Sequence, residues 1–311
     1  MIAVTGATGH LGQWVVARLT ELGHDVVCVC RRPSAAPSID TLSWKGKVAT
    51  LACDLSGPEA PAILRAGLAG IRAVVHLAAH VPEDTAAHDA AEAVATLRSN
   101  VVGTVRLLDA LSSIDGLRNV VYASTFEVYG PPAAGTISED HPTEPSSCYG
   151  ASKLTAEKYV ALFGADRGVA SCSLRLPAIY GPGDALRRAV GNFVRAAAAG
   201  KPMILNGDGT DRRDLVTAFD AARAVALAVE RSAQGVMNVG SGRGYSILEI
   251  ATTVSQVAGG GVPIERRERV KPRLDYVLDT ARVRDRLGWS PVMTLEEGLR
   301  AQLEWVRKGA S

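Results

Sequence analysis

Met1-Ile-Ala-Val-Thr-Gly-Ala-Thr-Gly-His-Leu-Gly12 is the stretch whose reading decides the fold. Residues 2–4 form a short apolar run with β-branched side chains, the pattern of a buried strand. Gly6, Gly9 and Gly12 follow at three-residue spacing, and residues 13–22 carry helical periodicity through Val15, Val16, Leu19 and Leu22. Strand, glycine turn and helix in that order aim several backbone N–H groups and a helix N-terminus at one point, where a phosphate anion binds. Gly6 permits the tight turn, Gly9 the close approach of a pyrophosphate, and Gly12 the packing of helix on strand. In this setting the spacing points to a bound nucleotide rather than to a bare βα turn.

Outward from that turn, strands and helices alternate. Val26–Cys30, Val48–Ala52 and residues 73–77, 120–124 and 170–174 read as further strands. Residues 58–68, a long Ala-rich stretch 85–111 and residues 149–163 read as helices. This alternation predicts an α/β fold, a doubly wound parallel sheet covered by helices on both faces. Ligands on such a sheet lie at the carboxyl ends of the strands, where strand order reverses. After Pro177 the rhythm changes: Tyr180-Gly-Pro-Gly183 is a turn cluster, and Gly207-Asp-Gly209 a second turn. Residues 186–199, 220–231, 246–258 and Leu295–Arg307 read as helices with short strands between some of them. Residues 1–177 are therefore expected to form a dinucleotide-binding domain and residues 178–311 a smaller C-terminal α/β substrate lobe, from which the chain can return to the sheet. Arg32-Pro-Ser-Ala-Ala-Pro-Ser38 reads as a mobile surface loop.

A chain of 311 residues is long enough to bury a substantial core. Its 47% hydrophobic and 21% charged content is that of a globular protein, and the net charge of +2 argues against a nucleic-acid partner. No apolar run approaches ~18 residues, so no membrane span is expected. The apolar N-terminus has no basic region before it and is already a strand, so a signal peptide is not expected and the cytoplasm is the expected location. Cys28, Cys30, Cys53, Cys148 and Cys172 lie mostly within expected strands and lack metal-ligand spacing, and Cys28 and Cys30 share one face of a strand, which fits buried thiols better than zinc or disulfides, so no metal site is expected.

Tyr149 and Lys153 stand four apart on an expected helix and so share one face. A phenol with a reference pKa of about 10 is a poor base near neutrality, and a neighbouring ammonium stabilises its phenolate. The pair follows a strand ending in Tyr122-Ala-Ser-Thr-Phe-Glu-Val-Tyr-Gly130, which sets Ser124 and Thr125 at the same sheet edge as the glycine turn. A hydroxyl and an activated phenol together suit removal of an alcohol proton coupled to hydride loss.

At these residues the chain resembles the extended short-chain dehydrogenase/reductase family, in its NAD(P)-dependent nucleotide-sugar epimerase/dehydratase branch. The likeness includes Thr5-Gly-Ala-Thr-Gly-His-Leu-Gly12, Cys53-Asp-Leu55, His76-Leu-Ala-Ala79, Asn100-Val-Val-Gly-Thr104, Ser124 to Gly130 and Tyr149-Gly-Ala-Ser-Lys153. It continues through Tyr180 to Gly183, Gly207 to Thr210, Arg213-Asp214, Asn238-Val-Gly-Ser-Gly242 and Leu287-Gly-Trp-Ser-Pro291. The resemblance implies a Rossmann fold and a homodimer formed through residues 86–111 and 149–163. It implies an oxidoreductase or epimerase acting on a nucleotide-linked sugar through a transient keto intermediate. Gly6, Thr8, Gly9, His10, Leu11 and Gly12 would then hold the pyrophosphate, Asp54 and Leu55 bracket the adenine, and Leu77, Ala78, Ala79 and Pro177 line the cofactor. Thr125 would be the catalytic hydroxyl and Tyr149 the base, with Lys153 tuning it and binding the nicotinamide ribose, and Asn100 supporting the site. Asn192, Arg213 and Arg269 fall where the family holds the sugar diphosphate, a task suited to bidentate arginine. Two roles fit Ser124, a direct active-site contact and a strand-end hydroxyl satisfied by backbone.

Several positions depart from the family pattern. Cys30, Arg31 and Arg32 stand where NAD-using relatives carry an acidic residue for the ribose hydroxyl, which favours NADP over NAD unless the arginines only solvate the loop. Phe126-Glu127 replaces the Asp-Glu pair of 4,6-dehydratases, which disfavours that elimination, while Glu127 is either a catalytic base or an unspecialised polar residue. Ala178 replaces an Asn that touches the sugar diphosphate, and Val81 to Thr85 departs from the loop that follows Ala79 in relatives. Tyr180 reads as a core aromatic sooner than a substrate contact. The alternative activity is NADPH-dependent reduction of a keto-sugar or other small carbonyl. A non-catalytic dinucleotide sensor is the reading from another class.

Overall fold

The computed structural model describes residues 1–32, 45–83, 89–131, 135–185, 188–269 and 273–309. Its elements in chain order begin β1 Ile2–Thr5, α1 His10–Glu21, β2 Val26–Cys30, β3 Val48–Ala52, α2 Ala60–Gly67, β4 Ala73–His76 and α3 Ala90–Thr96. A π-helical turn, Leu97–Val102, leads into α4 Gly103–Leu111, followed by β5 Asn119–Thr125 and a 3-10 turn at Phe126–Tyr129. Next come β6 Thr136–Ile137, α5 Cys148–Arg167, β7 Ala170–Leu176, β8 Ala178–Tyr180, α6 Ala189–Ala198, β9 Met203–Asn206 and β10 Arg212–Thr217. The chain ends with α7 Ala218–Glu230, β11 Gly235–Asn238, β12 Gly244–Ser246, α8 Ile247–Val257, β13 Ile264–Arg267, β14 Val277–Leu278, α9 Ala281–Leu287 and α10 Leu295–Arg307.

A seven-stranded sheet runs in the order β11-β7-β5-β4-β1-β2-β3, with every described pairing parallel. Successive strand residues serve opposite faces. Ile2 and Val4 join one core with Val15, Val16, Leu19 and α7, whereas Ala3, Val27 and Val29 join the other with Leu64, Leu107 and Tyr122. Burying each such Val or Leu is worth about 1.5–3 kcal/mol, which is why the apolar runs of the sequence map onto the central strands. The chain beyond Pro177 divides its residues. Tyr180, Phe193, Met203, Leu215, Ile250 and Leu299 form a separate core, while β11 pairs with β7 in the main sheet and α7 packs beside α1.

The continuous helix expected over 85–111 is interrupted by the π turn. Asn100 lies in that turn, and its side chain is bonded to the backbone of His80 and to Ser152 Oγ, while Thr104 Oγ1 donates to the Asn100 carbonyl at 2.6 Å. Tertiary bonds at Asn100 thus override the local helical register. The expected helix starts at residues 85 and 186 and most of the 32–38 loop lie outside the described residues. Tyr180 is buried in that separate core, where a Cβ on Gly298 would fall 2.6 Å from its hydroxyl, consistent with the core reading. No described helix is long and apolar enough to cross a membrane.

Candidate active site

Strand order reverses at β1, flanked by β2 on one side and β4 on the other, and the glycine turn leaves the sheet there. Gly6 has φ +68°, and a Cβ on it would lie 2.7 Å from the Ala78 nitrogen. A Cβ on Gly12 would lie 2.0 Å from the Gly6 carbonyl oxygen, so both positions admit only glycine. Gly9 caps α1 without a side-chain hydrogen bond, and the first turn of the helix, with His10, Leu11 and Gly12, holds no acidic residue. The helix itself places no carboxylate beside its uncapped N–H groups, which fits a pyrophosphate. The Thr8 carbonyl accepts from Gln13 Nε2 at 3.2 Å. Leu77, Ala78 and Ala79 follow β4 alongside this turn, half-buried, and the Leu77 N–H donates to the Thr5 carbonyl at 3.2 Å. His10 sits beside Gly183, with burial lowering its pKa and Asp184 opposing that shift.

The residues expected to handle the proton gather where β5 meets α5. Thr125 ends β5, and its Oγ1 accepts from the Glu127 N–H at 3.3 Å, capping the 3-10 turn. Ser147 caps α5 by accepting from the Gly150 N–H at 3.0 Å, and its Oγ donates to Glu127 Oε2 at 2.9 Å. A Cβ on Gly150 would sit 2.6 Å from the Glu127 carbonyl oxygen, so the turn lies directly on the first turn of α5. Tyr149 and Lys153 follow one helical turn apart. Lys153 is 2% exposed, with Nζ 4.2 Å from the centroid of the Tyr122 ring. Burial pulls its ammonium down to about 7, against the upward pull of Glu157, which is itself held by Arg175 at 3.0 and 2.8 Å. The Tyr149 phenol is pushed up by burial and by Glu127, with Arg188 pulling it down. That direction is opposite to the one expected from the Tyr–Lys spacing, because the dominant effects on the phenol are desolvation and a carboxylate. Ser124 Oγ is buried with no hydrogen-bond partner among the described residues, so the backbone does not satisfy it there. Pro177 is buried between β7 and β8.

The remaining expected residues lie farther out. Arg31 and Arg32 are exposed after β2, and the Asp54 carboxylate accepts from the Ser56 N–H and Oγ at 2.9 and 2.8 Å. Leu55 is buried in the turn that follows β3, beside Gly103. Arg213 and Arg269 are brought together on Asp211, at 3.4 Å for Arg213 and 3.0 and 2.7 Å for Arg269. Asn192 is exposed on α6 and accepts from Arg195 at 3.0 Å.

Sequence reasoning missed two features. Phe126 stacks on Tyr276 with centroids 3.9 Å apart and planes 15° apart, and Arg213 lies over the other aromatic at 5.7 Å. His76, quoted only as part of a motif, is buried and bonded through both ring nitrogens. The aromatic partner and the two hydroxyls come from distant strands and helices, so no local pattern announces them.

A family model described as NAD dependent epimerase/dehydratase family matches residues 2–240. Along the sequence the chain is similar to UDP-glucose 4-epimerase of Mycolicibacterium smegmatis, at 33% identity over 98% of this chain and 97% of that protein. It is similar to dTDP-glucose 4,6-dehydratase of Streptomyces griseus at 32% identity, covering 100% and 95%. In three dimensions it is similar to MoeE5 in complex with UDP-glucuronic acid and NAD, with a TM-score of 0.85 and 31% identity over 99% of each chain.

Proposed function

Because the chain belongs to the NAD-dependent epimerase/dehydratase family, in the extended short-chain dehydrogenase/reductase branch, we propose that it epimerises a nucleotide-linked sugar through a transient keto intermediate. The observation that carries epimerisation over 4,6-dehydration is the Phe126–Tyr276 stack. Where dehydratases place an acid directly after the catalytic hydroxyl, this chain has the aromatic Phe126, so the acid of the Asp-Glu pair that expels water is replaced.

In this reading the turn from Gly6 to Gly12 binds the pyrophosphate and Lys153 holds the nicotinamide ribose. NAD, when bound, accepts a hydride from the sugar carbon and returns it to the opposite face. Thr125 orients the reacting sugar hydroxyl, and Tyr149 takes its proton and later gives it back. Arg188 is the cation that offsets the pull of burial and Glu127 on the phenol. Arg213 and Arg269 hold the sugar diphosphate.

NAD is the cofactor taken here, following the NAD in the MoeE5 complex. The NADP preference expected from Arg31 and Arg32 finds no support in the family or in that complex. A homodimer is proposed through α5 and the segment from α3 to α4, where Val94, Leu97, Tyr159 and Leu162 are exposed. Incubating the protein with catalytic NAD and UDP-glucose, UDP-glucuronic acid or dTDP-glucose tests the activity. Appearance of an epimer supports it; a 4-keto-6-deoxy product, turnover only of NADPH with keto-sugars, or dinucleotide binding without turnover each overturns it.

A further inference from the structure

Below the cofactor strip at residues 77–80, hydrogen bonds close into a ring. The Ala78 N–H reaches Thr5 Oγ1 at 3.2 Å, Thr5 Oγ1 meets His76 Nδ1 at 2.7 Å, and His76 Nε2 meets Thr104 Oγ1 at 2.8 Å. Thr104 Oγ1 donates to the Asn100 carbonyl at 2.6 Å. The Asn100 side chain then takes both backbone groups of His80, accepting from its N–H at 2.7 Å and donating to its carbonyl at 3.0 Å. His80 and Ala78 belong to the same strip, so the ring returns to its start. The same Asn100 amide also donates to Ser152 Oγ at 3.0 Å, and that hydroxyl donates to the Tyr149 carbonyl at 2.7 Å.

One end fixes the proton positions in this ring. The Asn100 carbonyl can only accept, so the Thr104 hydroxyl proton points away from His76, and Nε2 must carry the hydrogen. In the neutral ring Nδ1 is then bare and accepts the Thr5 hydroxyl proton, while a lone pair of Thr5 Oγ1 takes the Ala78 N–H. Burial and the nearby Lys153 cation hold His76 neutral, with its pKa drawn down to about 3. A second proton on Nδ1 would face the Thr5 hydroxyl and break the sequence of donors.

We propose that His76, with Thr5 and Thr104, is a positioning residue that fixes the strip lining the cofactor and, through Asn100 and Ser152, sets that strip against the helix carrying Tyr149. The strip hangs from β1 at Ala78 and from the π turn at His80, and His76 is the strut between those two anchors. The π turn has a reason here, since it carries the carbonyl and amide of Asn100 that close the ring. This inference rests on the reading that a dinucleotide lies along residues 6–12 and 77–80.

Selective ¹⁵N-histidine labelling gives the first test, on the protein at neutral pH. A bare Nδ1 and a protonated Nε2 at His76 are expected; the other tautomer or a charged ring overturns the proposal. NAD affinity by calorimetry gives the second. His76→Phe is expected to bind about tenfold more weakly, and His76→Gln, which offers a carbonyl and an amide of its own, to recover part of the loss. Thr5→Val and Thr104→Val should each weaken binding, and the double variant no more than the worse single one, because a ring is opened only once. Folded variants that bind as the wild type does overturn the ring and leave the NAD reading standing. A wild-type protein that binds no NAD overturns both, and if a variant fails to fold the nitrogen spectrum of the wild type still decides.

Discussion

Arg269 donates from both terminal nitrogens to the Asp211 carboxylate, at 3.0 and 2.7 Å. One of those nitrogens also reaches Asp208 at 3.0 Å, and Arg213 shares Asp211 at 3.4 Å. One carboxylate therefore holds two guanidinium groups side by side and offsets their mutual repulsion. In the proposed substrate complex a diphosphate here would meet a pair of cations already oriented, so binding would lose less side-chain entropy. Arg269→Ala is expected to raise the KM for a UDP-sugar about tenfold, the loss of one charge-assisted hydrogen bond, while kcat changes by less than about twofold. An unchanged KM would leave Arg269 only as a tie between β13 and the 207–211 turn.

Tyr149→Phe removes one oxygen at the head of α5 and leaves the helix cap at Ser147 intact. If Tyr149 moves the substrate proton, kcat falls by about 10²–10⁴. NAD affinity should stay within about threefold, since the expected ribose contact is Lys153 and the pyrophosphate contacts are backbone groups. Steady-state rates beside calorimetric NAD titration check both parts. A variant with full activity would remove the phenol from the mechanism.

The sheet was legible because its information is local. Each central strand is a short apolar run closed by turn residues, and the glycine spacing after β1 names the point where strand order reverses. The π turn was not legible, because Asn100 is diverted by partners at His80 and Ser152, 20 and 52 residues away in sequence. Strands as short as β8 and β14, and the seven-residue α9, owe their existence to pairing and packing rather than to a pattern of their own. In the site, Tyr149, Lys153 and Thr125 announce themselves by spacing and by their position at the strand end. The carboxylates that set the surrounding charge do not: Glu127 reaches the phenol across a turn, and Asp208 and Asp211 meet Arg269 from some sixty residues away.

Lys153 gives stability a specific pH dependence. An unfolded lysine loses its proton near 10.5, whereas in the folded protein burial brings Lys153 to about 7. Between those values the unfolded chain binds the extra proton, so stability rises with pH above about 7 and that gain is lost as pH falls through about 7. The limiting slope is about 1.4 kcal/mol per pH unit. Cys28, raised to about 12, and Cys53, raised to about 11, act in the opposite sense only above their reference value of 9.0. Urea unfolding of the cofactor-free protein between about pH 7 and 9 should show the rise, and Lys153→Met should flatten it. A flat wild-type curve would mean that Lys153 keeps its proton throughout.

Leu162, 66% exposed, and Tyr159 lie on α5, while Val94 and Leu97, both 53% exposed, lie on α3 and the π turn that pack beside it. Isolated exposed apolar side chains are ordinary, but several on adjoining helices form a patch that water covers at a cost. In the proposed homodimer a second copy of the same face would cover it by two-fold symmetry, helix pair on helix pair. Leu162→Glu places a charge in that patch and its symmetry mate, so the protein should sediment as a monomer where the wild type sediments as a dimer. Because the side chain is exposed within one chain, the monomer should lose little intrinsic stability, within about 0.5 kcal/mol. NAD affinity should be retained, since the glycine turn belongs to β1 and α1 and owes nothing to this face. A wild type that sediments as a monomer at micromolar concentration would refute the dimer and leave the patch for another partner.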